Sequence, residues 1–291
     1  MNFETIKEWC KNKDYSFYDF SDGVDVNIFK TLEYIKEYII ENSNSSVSTG
    51  NLMIIKNDDD KSVLINVGII SQYANDINRK ILPVVKYLNI KKFNWLIGSR
   101  GNSFHQIGKA KAIENIPIDT VWDVGLDPNS SFDSYTRSMI ELKNIDYNIM
   151  HRGDIIRIDE QSYIQFLLPI NNIQTEKSQL AFQLVNGSNS ILFIEKLNDS
   201  ELDVLTNDGE AIKSDVLKMT YPKQILQKFD EFIQMVNPKM TIITGGKSGK
   251  YSPTVDEIDE LFDSELFFTD SVGAVWLSSD GKNPIKVKEW K

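Results

Sequence analysis

From residue 52 onward, short apolar runs of strand length alternate with stretches whose apolar residues recur every third or fourth position. LMIIK (52–56) and VLINV (63–67) flank the acidic turn NDDDK (57–61) and predict a hairpin. Ile77, Ile81, Val84, Val85 and Leu88 form a helical stripe, and FNWLI (93–97) follows as a strand. TVWDVG (120–125) predicts a strand and 132–142 a helix. HRGDIIRI, SYIQFLLP and LAFQLVNGSNSILFIE supply four strands, the last two joined by the turn NGSNS (186–190). A second cycle follows: an acidic helix over 198–206, the strand DVLKMT (215–220), a helix near 229–236, the strand KMTIITGG (239–246), a helix over 255–262, and the strands ELFFTD and AVWLSS. A β-rich stretch followed by βαβ units, twice over, is how a four-layer αββα sandwich of the α/β class reads along one chain.

Residues 1–46 have another texture. Phe3, Ile6 and Trp9, and then Ile28, Leu32, Ile35 and Ile39, have helical spacing, which predicts two short helices as an accessory segment. The polar run ENSNSSVSTGN (41–51) marks the boundary with a main domain over 47–291.

Composition narrows the function classes. At 291 residues, 41% hydrophobic and 25% charged, the chain can bury a sizeable core. Its formal charge of -10 argues against a broad surface for nucleic acid or anionic membrane. A single cysteine, Cys10, excludes an intrachain disulfide framework or a Cys-rich metal site and fits a reducing, cytoplasmic setting. No stretch approaches the apolar length of a membrane span.

Candidate chemistry centres on 63–109, a strand, helix, strand and loop whose carboxyl-end loop SRGNSFHQIGK (99–109) is where α/β proteins place their sites. Among residues that bind metal or exchange protons near neutral pH, that loop offers only His105. The triple aspartate at 58–60 lacks the alternating oxygen ligands and Gly of a calcium loop and reads as a solvated turn. TGGKSGKYS (244–252) misses the phosphate-loop pattern in both registers, and it reads as an exposed turn carrying Lys247 and Lys250.

In order and spacing, several segments resemble the metallo-β-lactamase-fold proteins, most closely the soluble domain of ComEC-type DNA-uptake channels. VSTGN (47–51) stands where that family has V-G-Q-G-D, LINVG (64–68) where it has L-I-D-x-G, and PVVKYLNI (83–90) where it has P-Y-L-K-x-x-G-I. RGDIIRI, FLLP, SDVLKM (214–219), PKMTIITGG and FTDSVGAVWLSSDG fall in matching places. The resemblance implies the αββα fold and a site of His and Asp ligands on Zn or Mn.

The residues at those stations differ from the family's. For H-x-[HD]-x-D-H-x-G-G the chain has GNSFHQIGK, which places His105 and Gln106 at the Asp-His pair and Gly101 and Ser103, or in the shifted register Arg100 and Asn102, at the earlier ligands. Asn66 replaces the early Asp, and Glu195 or Lys196 stands at the bridging Asp of L-T-G-D. Tyr221 and Pro222 replace the histidines of S-H-H-G-S, and Ser252 replaces the late His. With two histidines in the chain, imidazole cannot rebuild the set. The expectation is a degenerate fold member with no catalytic residues, no metal ligands and no cofactor, acting through an unknown protein or small-molecule partner. The alternatives are a hydrolase with an atypical Zn or Mn site built on carboxylates and His105, and a nucleic-acid-binding module, which the charge disfavours.

Overall fold

The computed structural model describes residues 24–30, 35–42, 51–67, 81–99, 103–127, 129–169, 179–195, 197–222, 224–226, 228–244, 252–272 and 274–290. Among these, the strands form a nine-stranded and a seven-stranded sheet.

The first sheet contains β1 (Val24–Lys30), β2 (Ile35–Asn42), β3 (Asn51–Asn57), β4 (Ser62–Ile65), β5 (Phe93–Gly98), β6 (Ile118–Asp123), β7 (Asp146–Ile149), β15 (Ala274–Ser279) and β16 (Lys286–Trp290). Its order is β16-β15-β2-β3-β4-β5-β6-β7, with β1 on β2; β4 to β7 run parallel and the rest antiparallel. The second sheet contains β8 (Ile155–Arg157), β9 (Ser162–Leu168), β10 (Ala181–Asn186), β11 (Asn189–Ile194), β12 (Val216–Thr220), β13 (Met240–Thr244) and β14 (Glu265–Phe268). It is antiparallel from β8 to β11 and parallel from β11 to β14, so each sheet joins an antiparallel half to a parallel one.

Alternation along the strands sorts the core into three slabs. Leu64, Leu96 and Val121 face the helices α1 (Leu82–Tyr87), α2 (Ser103–Asn115) and α3 (Ser131–Leu142). Their neighbours Val63, Ile65 and Ile97 face the second sheet, meeting Ile164, Phe166, Phe182, Phe193, Val216 and Ile242. In that middle slab Phe182 stacks on Phe193 at 4.5 Å between ring centroids. Leu192, Ile194, Leu217 and Met219 face α4 (Asp199–Asn207), α5 (Phe229–Val236) and α6 (Val255–Asp259). Helices, sheet, sheet and helices make the αββα sandwich that the run of apolar segments predicts.

Local signals set most boundaries. Asn198 and Thr254 start α4 and α6 with reciprocal capping boxes, and Ser130 caps α3 through the Asp133 N–H. The predicted 57–61 turn forms as expected: Asn57 Oδ1 accepts the Lys61 N–H at 2.8 Å, and Lys56 reaches Asp60 at 2.6 Å.

Two expectations are corrected. The helical stripe through Ile28, Ile35 and Ile39 falls on strands β1 and β2, because β2 pairs with β3 and β15 and cross-sheet pairing overrides an ambiguous local rhythm. The stretch 99–109 is also not loop throughout. Helix α2 begins at Ser103, and the helix formers between Lys109 and Glu114 carry it on. Phe3, Ile6, Trp9 and Cys10 lie outside the described residues.

Candidate functional site

The carboxyl ends of the parallel strands meet at one end of the sandwich, where Asn66, just past β4, contacts Glu195, just past β11. Asn66 is buried and sits at φ 49°, a left-handed conformation that Asn tolerates better than most residues. That turn frees its amide to work in two directions. Oδ1 accepts the Ser99 N–H at 2.9 Å, which fastens the end of β5 to the end of β4. Nδ2 donates to Glu195 Oε1, and the Ser99 hydroxyl donates to the same oxygen at 3.1 Å.

Glu195 is thus surrounded by donors. Burial pushes its carboxyl above the ordinary glutamate value; the Lys218 ammonium and the hydrogen bonds from Ser99, the Leu180 backbone and Asn66 pull it back in part. Lys218 lies in β12 and is 1% exposed.

A second buried ion pair lies on the helix side of the first sheet. Lys109, on α2, meets Asp123, at the end of β6, at 2.5 Å, with side chains 5% and 1% exposed. Asp123 Oδ1 also accepts the Gly125 N–H at 2.8 Å. Gly98 leaves room for the pair: a Cβ there would come within 2.8 Å of Asp123 Oδ2 and 2.9 Å of Lys109 Cδ.

Of the residues singled out from sequence, Asn66 and Glu195 are joined by a side-chain hydrogen bond among the described residues. Tyr221 is buried in the outer core of the second sheet, where its hydroxyl donates to Pro253 O at 2.7 Å and its ring lies 6.3 Å from Phe268. Ser252 is buried just before α6. His105 and Gln106 fall in the first turns of α2, their side chains outside the described part, and Arg100, Asn102 and Lys196 lie outside it altogether. Lys247 and Lys250 do too. His151 is exposed in a turn, its Nδ1 3.3 Å from Asp154 Oδ2.

Sequence reasoning missed Ser99, Lys218, Lys109 and Asp123. A signal existed for two of them: Lys218 in VLKMT and Asp123 in TVWD are charged residues at inward positions of otherwise apolar strands.

The described residues do not fit a divalent ion. Among them, no group of three or more His, Cys, Asp or Glu side chains is placed to hold a metal. Glu195 Oε1 already accepts from two neutral donors, and the neighbouring charge is positive, whereas a hydrolytic metal site needs several convergent lone pairs.

A scan against protein-family models found no match, and neither did a search of curated proteins. Solved structures do match. A mutant form of the β-hydroxylase CmlA aligns over 99% of this chain and 60% of its own length, at 9% identity and a TM-score of 0.50. Zinc-bound PqqB from Methylobacterium extorquens aligns over 77% of this chain and 86% of its own, at 8% identity and a TM-score of 0.46. A metallo-β-lactamase from Hirschia baltica aligns over 67% and 90%, at 17% identity and a TM-score of 0.40. The chain has the metallo-β-lactamase-like αββα fold, and at these identities the likeness is one of fold. This chain spans 60% of the CmlA chain.

Proposed function

We propose that this protein is a non-hydrolytic member of its fold class that acts by binding or scaffolding a protein or small molecule at the carboxyl end of the sheets. The observation that carries the reading is the Glu195 carboxylate, which is engaged by Asn66 and Ser99 beside a buried lysine. Asn66 and Ser99 direct donors at Glu195 Oε1, where a hydrolytic site would present acceptors to a cation. The substitutions at Arg100, Asn102, His105, Gln106, Lys196, Tyr221 and Ser252 support the same reading as degenerate positions. So does the resemblance to the ComEC-type domain, taken as ancestry. In this reading 47–291 form the lactamase-like unit, and 1–46 add β1 and β2 to its first sheet. We place the protein in the cytoplasm on its cysteine usage; among the described residues no helix is long and apolar enough to cross a membrane.

Elemental analysis of protein purified from cells grown with added Zn and Mn, alongside a phosphodiesterase assay, tests the reading. We expect substoichiometric metal and no turnover. Tightly bound metal at one or more equivalents, with turnover lost in His105→Ala, would establish the hydrolase instead.

A further inference from the structure

We propose that Asn186–Gly187, the one Asn-Gly step in the chain, is a latent deamidation site that the hairpin end of the fold holds shut. Asparagine is a heat-labile residue, and a following glycine leaves the next peptide nitrogen least shielded. In the reaction the Gly187 nitrogen attacks Asn186 Cγ, and the new C–N bond closes a succinimide. Nδ2 leaves as ammonia, taking up the proton that the Gly187 nitrogen gives up. Water then opens the ring at either carbonyl and leaves an aspartate or an isoaspartate at position 186.

The fold requires this pair of residues. Gly187 opens the turn between β10 and β11 at φ 57°, and a Cβ there would run into the Gly281 carbonyl oxygen. Asn186 is buried, and its side chain joins the second sheet to the first. Nδ2 donates to Ser279 O at 3.2 Å and to Ser279 Oγ at 3.0 Å, and Oδ1 accepts the Ser162 hydroxyl at 3.0 Å. The same contacts oppose the reaction. They hold the leaving nitrogen toward Ser279, while the attacking nitrogen donates to Gln161 O at 3.1 Å. Pairing of Asn186 with Ser162 and Asn189 fixes the backbone that would have to turn. Both reacting groups are occupied, so the ring closes only when this end opens. The change then runs one way, because a carboxylate would set an acceptor against the Ser279 carbonyl in a buried position.

Peptide mapping by mass spectrometry would follow deamidation at Asn186 in native protein and in protein unfolded in guanidinium, in one mildly alkaline buffer. The native rate should be lower by on the order of 10-fold or more. Ser279→Ala, which removes one of the two bonds from Nδ2, should raise the native rate roughly 2- to 10-fold. Lys109→Met, which opens an ion pair beside the carboxyl end of β6, should leave it unchanged. Equal rates in the native and unfolded protein would overturn the lock. So would a Ser279→Ala rate no higher than that of Lys109→Met, which would make global unfolding the route. Should Ser279→Ala not fold, the wild-type comparison decides alone.

Discussion

Where β10 turns into β11, Asn186 donates to Ser279 O at 3.2 Å and to Ser279 Oγ at 3.0 Å, while its Oδ1 accepts the Ser162 hydroxyl at 3.0 Å. Ser279 Oγ in turn donates to Asn189 Oδ1 at 2.6 Å, and the Gly281 carbonyl accepts from Ser188 N at 2.8 Å and Oγ at 2.9 Å. At the opposite end of the same strands, the sheets meet through Glu195, Asn66 and Ser99. The hairpin end joins the sheets with neutral amides and hydroxyls, and the other end through one carboxyl group that accepts from an amide and a hydroxyl. A neutral network is satisfied locally and is indifferent to pH near neutrality. A buried ionisable group depends on its partners more steeply, because losing one leaves a desolvated group uncompensated.

The sharpest way to break this comparison is to remove one partner of a charged pair. Lys109→Met leaves the Asp123 carboxyl fully buried without its ammonium partner, and it should cost about 3–5 kcal/mol in chemical denaturation. Asn186→Ala at the neutral end should cost less, about 2–3 kcal/mol, because it strands the Ser162 hydroxyl and the Ser279 carbonyl but no charge. Equal losses from the charged pair and the neutral network would erase the distinction.

The smallest effects concern pH, and they have opposite signs. The Glu195 carboxyl is raised by burial, so its contribution is full below the ordinary glutamate value and is lost as pH rises through the folded-state value. Thermal stability of Glu195→Gln relative to wild type should therefore improve as pH rises across that window.

Asp280, just past β15 near the hairpin end, behaves in the reverse way. Hydrogen bonds from the Asn283 side chain, the Asn283 N–H and the Lys282 N–H lower it to about 2. Its contribution is present above the ordinary aspartate value and is lost as pH falls toward about 2. Asp280→Asn should thus differ from wild type near neutrality and converge with it in acid.

Much of the fold was legible locally. The Asn57 to Lys61 turn, the strands of the second sheet and helix α3 follow from alternation, stripes and caps that need no distant partner. Of the candidate site, Asn66 and Glu195 could be picked from resemblance, but nothing adjacent to either residue announces the other across 129 positions of chain.

The amino-acid order by itself determined the class of the fold, since the rhythm of apolar runs sets which faces must be buried and hence how many layers form. It also determined the scarcity of imidazole and thiol. Tertiary structure alone decided that Ile28, Ile35 and Ile39 lie in strands, because pairing with β3 and β15 outweighs their helical spacing. It also decided that Asn66 and Ser99, from the first sheet, close on Glu195, just past β11 of the second. Charges can be buried only where their partners converge, and convergence is a property of strand register between sheets rather than of any local stretch.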